Sequence, residues 1–149
     1  MNERQITSSL LSTAVADTTL DLFEGQYRVS NGMTYNSYLL TDEKTVLFDT
    51  ADRRVAAEWL AGVEQAAGDR GIDSLVVSHM EPDHSAALRL LADRYPAMRI
   101  VGNAKRRAQG LQHLVLLRRH VILRREGGIA LVVIRPASQN HGAAGPIGE

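Results

Sequence analysis

The chain of 149 residues contains no cysteine. That absence excludes a disulfide framework, a thiolate metal site and a thiol nucleophile together. Neither sign of charge prevails: Lys and Arg total 17, Asp and Glu total 17, and the formal net charge is zero. A chain so balanced lacks the broad electrostatic footprint of a nucleic-acid binder. Aromatic residues are scarce, and none lies beyond Lys105. The arginine pairs of that region, Arg106-Arg107, Arg118-Arg119 and Arg124-Arg125, therefore have no Phe, Tyr or Trp beside them on which a base could stack. No apolar run approaches the length of a membrane span. The start, Met1-Asn2-Glu3-Arg4-Gln5, lacks the charged-then-apolar layout of a signal peptide, so a cytoplasmic protein is expected, with neither membrane nor nucleic acid as partner. The length allows one modest core, and so one domain or part of one.

What the chain does have is the run His79-Met80-Glu81-Pro82-Asp83-His84, directly after the apolar Leu75-Val76-Val77 and before a helix-like segment. Side chains alternate in an extended segment, so His79, Glu81 and Asp83 are expected on one side. His84, at the turn into the helix, can swing back toward them. Two imidazoles and two carboxylates form a mixed nitrogen and oxygen donor set, which suits iron or manganese and zinc less particularly.

Around this run the pattern alternates between strand and helix. Residues 1–24 are weakly patterned and read as a strand with an irregular lead-in. Short strands are expected at 27–29, 36–40 and 45–49, with a turn at Ser30-Asn31-Gly32 and a polar hairpin loop at 41–44. Asp52 is expected to cap a helix over 53–67 whose apolar face is Val55, Trp59, Leu60 and Val63, ended by Gly68. A buried strand follows at 74–78, then a helix over 85–95 with Leu88 and Leu91 inward and Pro96 as its stop. Next come a strand at 99–101 and another helix opening at Gly102-Asn103. Strands at 120–123 and 129–134 would join around Gly127-Gly128, and 137–145 reads as loop or disorder. Alternation of this kind predicts an α/β layered domain, with the early hairpin making the sheet mixed.

The residues also carry a resemblance. His79-Met80-Glu81-Pro82-Asp83-His84-Ser85 resembles the first metal-ligand motif of the flavodiiron proteins, whose core domain has the metallo-β-lactamase fold. Four further stretches resemble the same family in the same order: Asp21-Leu22-Phe23-Glu24-Gly25-Gln26-Tyr27, Tyr35-Asn36-Ser37-Tyr38-Leu39-Leu40, Phe48-Asp49-Thr50 and Ile100-Val101-Gly102-Asn103-Ala104-Lys105. Together they cover roughly 17–105. The resemblance implies the N-terminal half of an αββα sandwich. It implies that His79 and Glu81 bind one iron and Asp83 the other, with His84 close to the second. Asp49 would support the ligand loop from behind by hydrogen bonding. It further implies reduction of oxygen to water or of nitric oxide to nitrous oxide. FMN on a separate flavodoxin-like domain, a head-to-tail homodimer, and rubredoxin or a flavin reductase as electron donor belong to the same picture. Hydrolases of the fold carry histidine where Glu81 stands. A carboxylate there adds negative charge and a hard donor, which favours iron over zinc.

The departures are as informative. The family pattern continues with a histidine before tryptophan and proline, a bridging aspartate and a last histidine. His141 falls in about the right region but sits in His141-Gly142-Ala143, and no aspartate follows Asp93. His113 and His120 read as residues of a surface helix and strand. No flavodoxin-like phosphate loop is present. The expectation is thus a partial metallo-β-lactamase-like domain over 1–149, family-like over 17–105 and atypical over 106–149. Functionally it is a flavodiiron-type oxidoreductase fragment, with a zinc-dependent hydrolase or an inactive truncated remnant as alternatives. Beyond Lys105, aspartate and aromatics vanish together while Arg, Gly and Ala accumulate, as in a GC-rich message read out of frame. Translating the other two frames of the DNA downstream of codon 105 should then yield a histidine-tryptophan-proline segment with a later aspartate and histidine. If neither frame does, the tail is genuine.

Overall fold

The computed structural model describes residues 4–78, 80–103, 120–126 and 129–135. His79, His113, His141 and the loop expected at 137–145 lie outside these residues. The chain opens with β1 (Arg4–Gln5), β2 (Leu10–Ser12), β3 (Val15–Asp17), β4 (Leu22–Phe23), β5 (Tyr27–Arg28) and β6 (Met33–Tyr35). It continues through β7 (Tyr38–Thr41), β8 (Thr45–Phe48), helix α1 (Ala56–Ala67) and β9 (Ser74–Val77). Two short helices follow, α2 (Pro82–Ser85) and α3 (Leu88–Arg94), then β10 (Arg99–Asn103), β11 (His120–Glu126) and β12 (Ile129–Arg135).

Eight strands form one sheet in the order β1-β2-β7-β8-β9-β10-β12-β11. The neighbours of β9, β8 on one side and β10 on the other, run parallel to it, and the remaining pairs are antiparallel. The sheet is therefore mixed and the class α/β, as the alternation predicts. Each parallel step carries helix between its strands, α1 after β8 and α2 with α3 after β9. A parallel pair cannot be joined by a tight hairpin and needs such a crossover.

Register explains the core. Leu39 pairs with Leu47, Leu47 with Leu75, and Leu75 with Ile100, so one row of aliphatic side chains crosses four strands. All four are buried, and they share a cluster with Trp59 and Val63 of α1 and Leu88 and Leu91 of α3. Each such side chain contributes about 1.5–3 kcal/mol through burial alone. The next row on the opposite face is Tyr38, Phe48, Val76 and Val101. It is apolar too, but only half-buried or exposed.

Several boundaries differ from expectation. α1 begins at Ala56, not Arg53, and Val55 is its N-cap without a side-chain hydrogen bond. Asp52 does accept an amide, that of Arg54 at 2.8 Å, but it closes a turn upstream of the helix. Gly68 ends α1 as predicted, at φ +55°, with its amide donating to the Glu64 carbonyl. The helix expected over 85–95 is two helices. The Ala87 amide donates to the Ala51 carbonyl at 3.1 Å, outside the helical ladder, and the chain turns there. β10 runs on through Gly102 to Asn103, which pairs with Leu131, and the helix expected to open there would lie in residues 104 onward, outside the described ones. The lead-in over 1–24 holds four short strands rather than one.

Away from the sheet, β3 pairs with β6 and β4 with β5. Asp17, at the end of β3, has a side chain only 4% exposed and receives Arg54 Nε at 2.6 Å. Thr19 donates both its hydroxyl and its amide to the same carboxylate. The Arg54 guanidinium, reinforced by Thr19, holds the Asp17 carboxyl down from an ordinary 3.8 to about 2. A folded-state value below the unfolded one means stability that is present above pH 3.8 and lost as pH falls toward 2. Asp17→Asn is therefore expected to lower stability at neutral pH and to flatten the acid-side loss in that window. Urea unfolding at a series of pH values measures both.

Candidate metal loop

The loop between β9 and α3 is built from its neighbours inward. β8 ends at Phe48, and Asp49 takes φ +58°, a left-handed conformation that Asp tolerates better than most residues. Its amide still donates to the Val76 carbonyl at 2.8 Å. Its carboxylate then reaches across the end of β9, and Oδ1 accepts the Ser78 amide at 2.7 Å. The Asp49 carbonyl accepts the Ser37 hydroxyl at 3.2 Å, and Ser37 in turn accepts the Thr13 hydroxyl at 3.0 Å. Thr13 and Ser37 are both buried. A hydroxyl chain thus fixes the backbone from which the Asp49 carboxylate projects.

The ligand loop itself is tightly tied. Pro82 sits in the first turn of α2, where its missing amide costs nothing. The Ser85 hydroxyl lies within hydrogen-bonding distance of the carbonyls of Met80 and Glu81, at 3.0 and 2.9 Å. The His84 imidazole stands between two carboxylates: Nδ1 is 3.4 Å from Asp49 Oδ2, and Nε2 is 3.2 Å from Asp83 Oδ2. Both carboxylates and the ring are largely buried. Glu81 is exposed at the N-cap of α2, in extended backbone.

Of the predicted site residues, the structure brings Asp49, Asp83 and His84 together, while His79 and His141 fall outside the described residues. Among the described residues, no three His, Asp or Glu side chains form a group that could hold a metal ion. One atom nonetheless bears on the fit. Asp83 Oδ1 is buried and has no hydrogen-bond partner among the described residues. An ionised carboxylate oxygen can only accept, so a buried one needs a donor or a cation beside it. Hard oxygen next to imidazole is a donor set suited to iron, and on this ground Asp83 and His84 fit such an ion.

Sequence reasoning singled out Asp49 but not Ser37 or Thr50, both fully buried and both hydrogen-bonded in this region. The available signal was a small hydroxyl residue beside each of two apolar strand segments. A hydroxyl there must find a partner when buried.

The sequence profile of the Metallo-beta-lactamase superfamily matches residues 31–147. The chain belongs to that superfamily. The match runs across the composition change at Lys105. Relatives within the superfamily are flavodiiron proteins and flavorubredoxins. The anaerobic nitric oxide reductase flavorubredoxin of Vibrio vulnificus is 38% identical over 76 residues, 51% of this chain and 15% of that protein. A putative diflavin flavoprotein A 2 of Synechocystis is 38% identical over 95 residues, 64% of this chain and 16% of that protein. Among solved structures, rubredoxin oxygen:oxidoreductase from Desulfovibrio gigas superposes with a TM-score of 0.58 at 35% identity, covering 62% of this chain and 23% of that one. The chain thus spans about a sixth of the length of the two sequence relatives.

The left-handed backbone of Asp49 and its bond to the Ser78 amide make a direct test possible. Asp49→Ala should destabilise the superfamily fold by about 1–3 kcal/mol, since alanine strains at that φ and the Ser78 amide loses its acceptor. Asp49→Asn tolerates the backbone and keeps an acceptor, so it should cost markedly less. Urea titration of the two variants beside the parent measures the difference.

Proposed function

We propose that this chain is the N-terminal portion of a flavodiiron-type oxidoreductase, bearing the first part of its iron-ligand loop. The observation that carries the reading is Glu81 in the ligand loop, where hydrolases of the fold have histidine, with Asp83 and His84 following on α2. His79 and Glu81 would hold one iron and Asp83 the other, with His84 close to the second. When bound, iron would supply the site at which oxygen or nitric oxide is reduced. The chain's own contributions are positional. Asp49 steadies the end of β9 through the Ser78 amide, and it faces the imidazole nitrogen turned away from Asp83. A carboxylate behind a ligating imidazole fixes the tautomer and raises the ring's basicity. FMN, a head-to-tail homodimer and rubredoxin or a flavin reductase as donor belong to this reading as parts of the complete assembly. So does its cytoplasmic setting. The relatives, a nitric oxide reductase flavorubredoxin and a rubredoxin oxygen:oxidoreductase, support the redox class.

A second reading is a remnant that keeps the loop without a working site. It is favoured by the sequence, in which no aspartate follows Asp93 to serve as the bridging ligand. Metal loading separates the readings. After anaerobic reconstitution with both metals offered, iron should be preferred over zinc, and Glu81→His should shift the preference toward zinc. Elemental analysis of the two proteins is the measurement. A parent chain that loads only zinc removes the redox reading, and one that loads no metal leaves the remnant.

A further inference from the structure

We infer that Thr50 is the positioning residue of the ligand loop: its hydroxyl and its amide together lock the His84 carbonyl, and with it the segment that carries Asp83 and His84. The inference rests on the metal reading above for its consequence, but its geometry stands alone. Thr50 follows the left-handed Asp49 and is fully buried. Its amide donates to the His84 carbonyl at 2.9 Å, and its hydroxyl donates to the same oxygen, also at 2.9 Å. A carbonyl oxygen has two lone pairs, so Thr50 can saturate this one. One donor fixes a distance and leaves the peptide plane free to rock about it. Two donors from one residue remove that freedom. The next residue, Ala51, accepts the Ala87 amide at 3.1 Å, which fixes the far end of the same segment.

Burial makes the hydroxyl specific. Valine has nearly the shape of threonine and would fill the same space, but it leaves the His84 carbonyl with the amide alone. Serine keeps the donor and loses only a methyl. Asp83 and the His84 imidazole depend on that peptide for their placement against one another, at 3.2 Å, and against Asp49, at 3.4 Å. Both Thr50 bonds end on the His84 carbonyl, so the role is one of positioning through the backbone.

The experiment uses the full 149-residue chain in four forms: parent, Thr50→Val, Thr50→Ser and Val63→Ala. Val63 is buried in α1, on an element separate from the loop, and serves as a variant that lowers stability there. Hydrogen exchange over the segment 78–87 reads the loop without any metal. In Thr50→Val that exchange should quicken about tenfold, while Thr50→Ser stays near the parent. Titration with cobalt(II) alone, followed in the visible spectrum, should weaken about tenfold in Thr50→Val and remain near the parent in Thr50→Ser and Val63→Ala. Parent-like exchange and affinity in Thr50→Val would overturn the inference. So would a Thr50→Ser variant as loose as Thr50→Val. A parent that binds no cobalt, with loop exchange still following the hydroxyl, upholds the role of Thr50 and counts instead against the metal reading.

Discussion

Everything about the ligand loop depends on how β8 leaves the sheet. Three consecutive residues there turn four groups toward the same segment. Asp49 offers its carboxylate to the Ser78 amide, Thr50 its amide and hydroxyl to the His84 carbonyl, and Ala51 its carbonyl to the Ala87 amide. An ordinary extended residue at Asp49 would alternate and send these groups elsewhere. The left-handed φ of Asp49 redirects the chain, and the buried pair Thr13 and Ser37 holds the carbonyl that this bend presents. Such a conformation costs free energy, and it persists because the surrounding hydrogen bonds over-determine it.

The sheet behind the bend makes it rigid. The row from Leu39 through Leu47 and Leu75 to Ile100 fixes β7, β8, β9 and β10 in register, because a slip of one residue would turn every one of these side chains to the other face. The helices covering the row are the same ones the loop feeds. α3 begins immediately after the Ala87 anchor and buries Leu88 and Leu91 against that core. The ligand loop is therefore held at one end by the parallel strand β9 and at the other by a helix packed on the sheet. Loops on such supports carry function because the scaffold, not the loop, sets their shape.

Much of this was legible beforehand. The buried faces of α1 and α3 and the strands around β9 follow from period and composition, since apolar spacing reports burial directly. What stayed hidden has one physical cause, long-range competition for backbone groups. Asp52 had the chemistry of a helix cap, yet the helix starts later, after a turn from which Arg54 reaches back to Asp17, 37 residues away. The helix after the loop looked continuous, yet Ala87 gives its amide to Ala51. Asn103 reads as a helix start, yet it is itself the last residue of β10, paired with Leu131 of β12. No local window contains those partners. The partners of the Ser37 and Thr50 hydroxyls were hidden for the same reason, because those acceptors are distant in sequence and appear only once the strands are placed.

The second face of the sheet completes the argument. Tyr38, Phe48, Val76 and Val101 form a row beside the leucine row, and in register with it, on the side away from α1 and α3. A sheet face meant for water alternates to polar residues, whereas a sheet covered on both sides is apolar on both. This row has the composition of a covered face and the exposure of a partly open one. The metallo-β-lactamase superfamily to which the chain belongs is layered, and the apolar second face is the physical requirement for a further layer. The loop lies at the ends of β8 and β9, the two central strands whose Phe48 and Val76 form the middle of that row. The residues that shape the loop and those that would receive the next layer therefore belong to the same two strands, and a disturbance of β8 or β9 reaches both.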